Sequence, residues 1–196
     1  MGTRPTVLIG DVVNDQQLVD EFVACFTRLD DLVVHSRFDI PPEFQTDWID
    51  GFDRWRPLAV QTERAALAAV YRLLPCRFPP LYERLILSYR WLGVDLRLLR
   101  LLPNLPGRTL EPLIHEIFRD RILVKILIPK GYIPFAMASD SYDPICFDTT
   151  RPTKLGDYPI IRFEHESILC DEQIGYSEDL EPSFRSLVVG ILGIQS

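Results

Sequence analysis

Three short apolar runs, Tyr132–Ala138 (YIPFAMA), Ile145–Thr149 (ICFDT) and Ile160–Glu164 (IIRFE), stand between stretches rich in Asp, Ser, Pro and Gly. Runs of this length, dominated by isoleucine and aromatic residues and bounded by turn formers, carry the signature of β-strands. The connections between them are short, which implies antiparallel neighbours.

Upstream of these runs, Val94, Leu96 and Leu98 alternate with Asp95, Arg97 and Leu99, the period of a strand, so the sheet is predicted to begin at Val94. Leu101–Arg108 holds two prolines, Asn104 and Gly107, a turn-rich break before a helix capped by Thr109 with Leu110, Leu113, Ile114, Ile117 and Phe118 on its apolar face. Pro79 and Pro80 suit the first turn of another helix, whose stripe is Leu81, Leu85, Ile86 and Tyr89. Thr62 offers a cap for a helix carrying Leu67, Val70, Tyr71 and Leu74. Asn14 or Asp15 caps a first helix, in which Leu18, Phe22, Phe26 and Leu29 recur at helical spacing. A last amphipathic helix is predicted from Leu180 to Leu192, with Leu180, Phe184, Leu187, Val188 and Ile191 facing inward. Helices come first and strands mainly in the second half, which predicts an α+β fold with helices against an antiparallel sheet of about four to six strands.

The chain has 196 residues, 47% hydrophobic and 25% charged, enough for one globular domain with a sizeable core. Its 28 acidic residues against 21 basic ones give a net charge of −7, which repels nucleic acid and anionic membranes and favours basic partners. The cysteines, at 25, 76, 146 and 170, form no CxxC pair and no cluster with histidine, so reduced thiols in a cytoplasmic protein are expected. Met1–Gly10 is too short an apolar run for a secretory signal, and longer apolar stretches are broken by Arg, Asp or Lys, so no membrane span is expected.

Catalytic and metal motifs are sparse. His115-Glu116 begins like a zincin helix, but the second histidine would fall at Arg119. Glu164-His165-Glu166 puts an imidazole between two carboxylates, and in an extended chain these neighbours point to opposite faces, which reads as a strand end with solvated charges. No nucleophile elbow, P-loop or dinucleotide fingerprint is present, and no cofactor is expected. Asp140, Asp143, Asp148 and Asp157 lack the spacing of a calcium loop and are expected to satisfy backbone donors in turns. Cys146, between Ile145 and Phe147, reads as a small buried hydrophobe. Arg97, Arg100 and Arg108 read as solvated charges.

From Arg37 to Val60 the periodicity is lost, and Phe38, Phe44, Trp48, Phe52 and Trp55 stand among Asp39, Glu43, Asp47, Asp50 and Asp53. This aromatic and acidic connection either folds back on the core or leaves Trp48, Phe52 and Trp55 as an interface anchor ringed by carboxylates.

The strand region also carries a resemblance. Gly131-Tyr132-Ile133-Pro134-Phe135-Ala136, then Tyr142-Asp143-Pro144-Ile145-Cys146-Phe147-Asp148, then Tyr158-Pro159-Ile160-Ile161-Arg162-Phe163-Glu164-His165-Glu166 resemble the SUKH superfamily, which holds bacterial immunity proteins for polymorphic toxins and the fungal cell-wall-assembly regulator. Phe78-Pro79-Pro80 and Tyr89–Leu102 look like its middle portion, so the likeness covers roughly residues 62–192; Ser139-Asp140-Ser141 stands where the family often has glycines. The domain boundary is accordingly placed at 61/62, with the leading helix and connection docked on a SUKH-like domain spanning 62–196. The resemblance implies a helix-flanked sheet, no catalytic residues, and binding of a toxin domain, commonly a nuclease; the acidic charge fits such a basic protein partner. Asp143, Asp148, Glu164 and Glu166 are the motif positions expected to contact it, beside Trp48, Phe52 and Trp55. Two alternatives stand beside this reading: a scaffold or regulator joined to partners through the aromatic segment, and a hydrolase pairing His165 with Cys146 or a nearby carboxylate.

Overall fold

The structure, a computed structural model, describes residues 14–29, 32–34, 53–106 and 109–193. Asn14 caps helix α1 (Asp15–Ala24) by accepting the Gln16 amide at 3.1 Å, and a short helix α2 (Phe26–Leu29) follows. Strands β1 (Val33–Val34) and β2 (Asp53–Arg54) pair with each other, and β3 (Leu58–Ala59) pairs with a later strand at Tyr89–Arg90. The helix expected after Thr62 is a 3₁₀ turn, Arg64–Ala66, running into a single turn α3 (Leu67–Val70). Thr62 does not cap it; its hydroxyl accepts from Arg90 at 2.6 Å. Helix α4 (Pro80–Ser88) starts at its proline, as the fixed φ of that residue favours.

Tyr89 lies beyond α4, in β4 (Tyr89–Arg90), the partner of β3. The buried Arg90 guanidinium donates to the carbonyls of Ile86 at 2.7 Å and Tyr89 at 3.1 Å, and the Asn104 amide donates to the same two carbonyls at 3.2 and 2.8 Å. Side chains thus satisfy acceptors that the helix end leaves open.

The alternation at 94–99 is a hairpin rather than one strand. After β5 (Val94–Asp95) the Asp95 carboxylate accepts the Arg97 amide at 2.7 Å, Arg97 takes a left-handed φ of 74°, and the chain reverses into β6 (Leu99–Leu101). Leu98, expected on the buried side, is 77% exposed at the turn, while Leu99 is buried. Helix α5 (Glu111–Ile117) follows, with the Thr109 hydroxyl accepting the Glu111 amide at 3.3 Å. Helix α6 (Arg121–Leu127), capped by Asp120, was not anticipated.

Strand β7 (Tyr132–Ala138) has the expected bounds, and β8 (Pro144–Asp148) and β9 (Ile160–Phe163) fall within a residue of theirs. Gly131, at φ 88°, admits the chain into β7, where an added Cβ would stand 2.8 Å from the Thr150 methyl. A bulge between Pro134 and Ala136 accommodates the proline within the strand. Two further elements were not foreseen: helix α7 (His165–Asp171) and strand β10 (Ser177–Glu181). Leu180 belongs to β10, so the last helix, α8, is Phe184–Leu192.

The fold is therefore α+β, built on an open antiparallel sheet of six strands in the order β10-β9-β8-β7-β6-β5. Neighbouring residues of a strand face opposite sides. On one side Phe135, Ile145, Phe147 and Ile160 join the core made with α1, α4 and α8; on the other, Cys146, Ile161 and Phe163 meet Leu123 and Leu127 of α6 and Ile168 of α7. Tyr82 of α4 holds the first side together, with ring centroids 5.1 Å from Phe78, 5.8 Å from Phe135, 5.2 Å from Phe147 and 5.3 Å from Phe184. Phe22 of α1 reaches Phe184 at 6.2 Å, so the leading helix shares this core. No helix among the described residues is long and apolar enough to cross a membrane.

Phe147 stacks on Phe135 at 4.1 Å and is fully buried. Phe147→Ala is expected to cost about 3–5 kcal/mol of folding stability, through lost transfer free energy and the cavity left behind. Urea unfolding of the variant and the parent reads this directly, and a midpoint within error of the parent would contradict the packing described.

Candidate functional site

The residues of the three motif stretches do not share one fate. Asp143, in the loop entering β8, is 8% exposed; its Oδ1 accepts from the His165 amide at 3.0 Å and from His165 Nδ1 at 2.7 Å, and its Oδ2 accepts from Arg162 Nε at 2.8 Å. An ionised carboxylate only accepts, so Nδ1 carries the proton, and in the neutral ring Nε2 is left as an acceptor. Burial opposes the charge on Asp143, yet the hydrogen bonds from the His165 ring and amide and from Arg162 outweigh it and hold the carboxyl down at about 2. Asp143 thereby supplies, from another loop, an acceptor for the first amide of α7.

Asp148, at the far end of β8, is 2% exposed and accepts from the Thr150 amide at 3.0 Å, its hydroxyl at 2.5 Å, and Arg151 Nε at 2.5 Å. Arg151 also grips Asp179 of β10 through two bonds of 2.9 and 2.6 Å. Asp143 and Asp148 are accordingly corrected from contact residues to supports of the fold, because their oxygens are buried against internal donors. Glu164 and Glu166 are exposed, as solvated charges were expected to be, but they stand at the start of α7 rather than at the end of a strand; Glu164 accepts from Ser167.

Trp55 is corrected in the same way. It is 3% exposed and part of the main core, so it is not an interface anchor. Trp48 and Phe52 lie outside the described residues, as do Phe38, Phe44 and Arg108.

The motif stretches meet around one groove of about 410 Å³. Pro134 and Met137 of β7 form its floor, Ile117 of α5 and Leu123 and Val124 of α6 one wall, and Pro144, His165 and Leu169 the other. Tyr142, 69% exposed, stands at the rim with its ring centroid 6.1 Å from that of His165. Glu116, Arg119 and Asp120 add polar groups, with Arg119 paired to Glu116 at 3.2 Å. Strict alternation along β7 would place Met137 with Phe135 on the opposite face; the bulge between Pro134 and Ala136 brings it beside Pro134, and α6 is signalled only by the Asp120 cap and the four-residue spacing of Leu123 and Leu127.

Chemically, the groove is an apolar slot with a histidine fixed at one end. Among the described residues its lining contains no Ser, Thr, Cys or Lys to serve as a nucleophile. Cys146 is fully buried in the layer under α6 and α7, and burial pushes its thiol well above the usual range, away from the reactive thiolate. His165 forms no hydrogen bond with it; the contact His165 does make is with a carboxylate, Asp143. Among the described residues no three His, Cys, Asp or Glu side chains gather as a metal would require. No protein-family model matches the sequence, and no curated protein matches it.

Because its folded value lies below the unfolded one, the Asp143 carboxyl contributes stability that is complete above the ordinary carboxylate range and is lost as pH falls toward 2. The loss amounts to about 2 kcal/mol. Asp143→Asn is expected to be less stable at neutral pH and to show a shallower decline between about pH 4 and 2. Thermal unfolding of both proteins across that range checks it; parallel curves would remove Asp143 from the acid dependence.

Proposed function

We propose that this chain is a non-catalytic binding protein of the immunity type, related to the SUKH superfamily, and that its groove receives an apolar side chain of a basic toxin domain. The observation that carries the reading is the convergence of Pro134, Tyr142, Pro144 and His165, one or more from each of the three motif stretches, on one apolar slot. A slot of this kind with an exposed tyrosine at its rim suits the anchor of an interface, where a buried apolar or aromatic contact provides most of the binding energy. Glu164 and Glu166, exposed beside His165, and Asp120 at the opposite wall surround that anchor with negative charge. Such a rim steers a positive partner and excludes like-charged ones. The net charge of −7 acts in the same direction over longer range.

The function follows from occlusion. A rigid groove that takes an anchor residue covers the surface around it, and a nuclease domain whose basic face is covered cannot reach its own anionic substrate. The scaffold reading leaned on the aromatic segment, and the burial of Trp55 removes one of its anchors. One observation favours a second reading, in which the His165–Asp143 pair at 2.7 Å orders a general base for hydrolysis. With no Ser, Thr, Cys or Lys among the described lining residues, the attacking group would be water or one of the lining carboxylates, Glu116 or Asp120.

Co-expression with the toxin encoded beside this chain tests the proposal. Cells are expected to survive with the parent chain, and binding is expected to weaken about tenfold or more in Tyr142→Ala and in Glu166→Lys, both exposed positions. Killing at the same rate with and without the chain would end the immunity reading. Hydrolytic turnover that vanishes in His165→Ala would replace it with the second.

A further inference from the structure

On the other side of the sheet, where α1 meets α4, lies a second cleft of about 660 Å³ lined by Arg64, Arg77 and Arg84 with Thr62, Ser88 and Tyr158. Three guanidinium groups around one hollow reverse the sign of an otherwise acidic chain. Their charge is only partly answered. Glu83, on α4 and 4% exposed, pairs with Arg64 and accepts from the Tyr71 phenol at 2.6 Å. Asp15, the other acidic residue at the cleft, pairs with Arg185. Arg77 and Arg84 have no carboxylate partner among the described residues.

The arrangement is built rather than scattered. Burial, followed by the hydrogen bond to Glu83, pushes the Tyr71 phenol far up, so it stays a neutral donor to that carboxylate. The Tyr71 oxygen accepts the Phe78 amide at 3.2 Å, and its ring lies under Arg77 with the guanidinium carbon 6.0 Å from the centroid. One buried carboxylate therefore fixes Arg64 directly and Arg77 through Tyr71. Charged side chains are rarely buried unless they are paired, and this pair organises the rim of a cleft.

We propose that the cleft binds a phosphate-bearing small molecule, with Arg77 and Arg84 as its phosphate ligands. Two guanidinium groups without acidic partners present forked donors to several oxygens, which matches a dianionic phosphate better than a single carboxylate. The volume falls in the range of small-ligand sites, and the Thr62 hydroxyl, which accepts from Arg90 and keeps its own proton, adds a donor along the wall. This site is separate from the groove and does not depend on the partner assigned to it.

Isothermal titration calorimetry of the full chain with sodium pyrophosphate at low ionic strength provides the test. Saturable binding is expected, weakened about tenfold in Arg77→Ala and in Arg84→Ala and unchanged in Arg121→Ala, an exposed arginine on α6 away from the cleft. All three positions are exposed, and circular dichroism establishes that each variant is folded. Heats that never saturate, equal weakening in Arg121→Ala, or equally tight binding of the dicarboxylate succinate would overturn the assignment.

Discussion

Strand β8 is buried along its whole length, and most of the architecture follows from that constraint. A strand with both faces covered needs an apolar layer on each side, and alternation assigns Ile145 and Phe147 to one layer and Cys146 to the other. Rings from α4 and α8 fill the first; short helices α6 and α7 close the second. The two layers are filled differently. Large aromatic side chains pack the first side closely, whereas α5, α6 and α7 leave a slot against β7 on the second.

A fully buried strand also brings its flanking polar groups inside, and the chain meets that cost with carboxylates. Asp143 stands before β8 and Asp148 ends it, each satisfied by an arginine and a backbone amide. The same device recurs at α8, where Asp157 accepts the amides of Phe184 at 3.1 Å and Arg185 at 3.2 Å, and at α6, where Asp120 accepts those of Ile122 and Leu123 at 3.0 Å. Three helices thus begin on a carboxylate, and in α7 and α8 it comes from a distant loop. Each such acceptor contributes on the order of 0.5–2 kcal/mol to its helix. The loops are thereby tied to the elements they face, which fixes the rim of the groove.

Much of the fold is legible in the sequence because hydrophobic period and turn chemistry agree there, as in β7, β8, β9, α1 and α4. Failures occur where a side chain competes with the period. Asp95 turns an apparent strand into a hairpin by bonding the Arg97 amide, and Thr62 serves Arg90 rather than its own helix. Helix α7 escapes notice because its N-terminal acceptor, Asp143, lies 22 residues earlier in the chain. Strand β10 escapes because an edge carrying Glu178, Asp179 and Glu181 has no apolar alternation, acidic residues being a common guard against unwanted edge pairing. The site is less legible than the fold for the same reason: a groove is a property of spacing between elements, and Tyr142, His165 and Leu123 carry no mutual signal in one dimension.

The two hollows have opposite chemistry, and the core between them explains how both persist in one small chain. At the groove, exposed carboxylates surround an apolar slot; at the cleft, buried Glu83 orders arginines that remain partly uncompensated. Were these charges adjacent, Arg77 and Arg84 would find acidic partners and both sites would neutralise each other. The sheet and its aromatic layer hold them apart, and across that distance salt in the surrounding solvent screens exposed charges within roughly 10 Å. Segregation of charge by the packed core is thus the physical basis on which one acidic chain holds an acidic rim at one hollow and an arginine rim at the other.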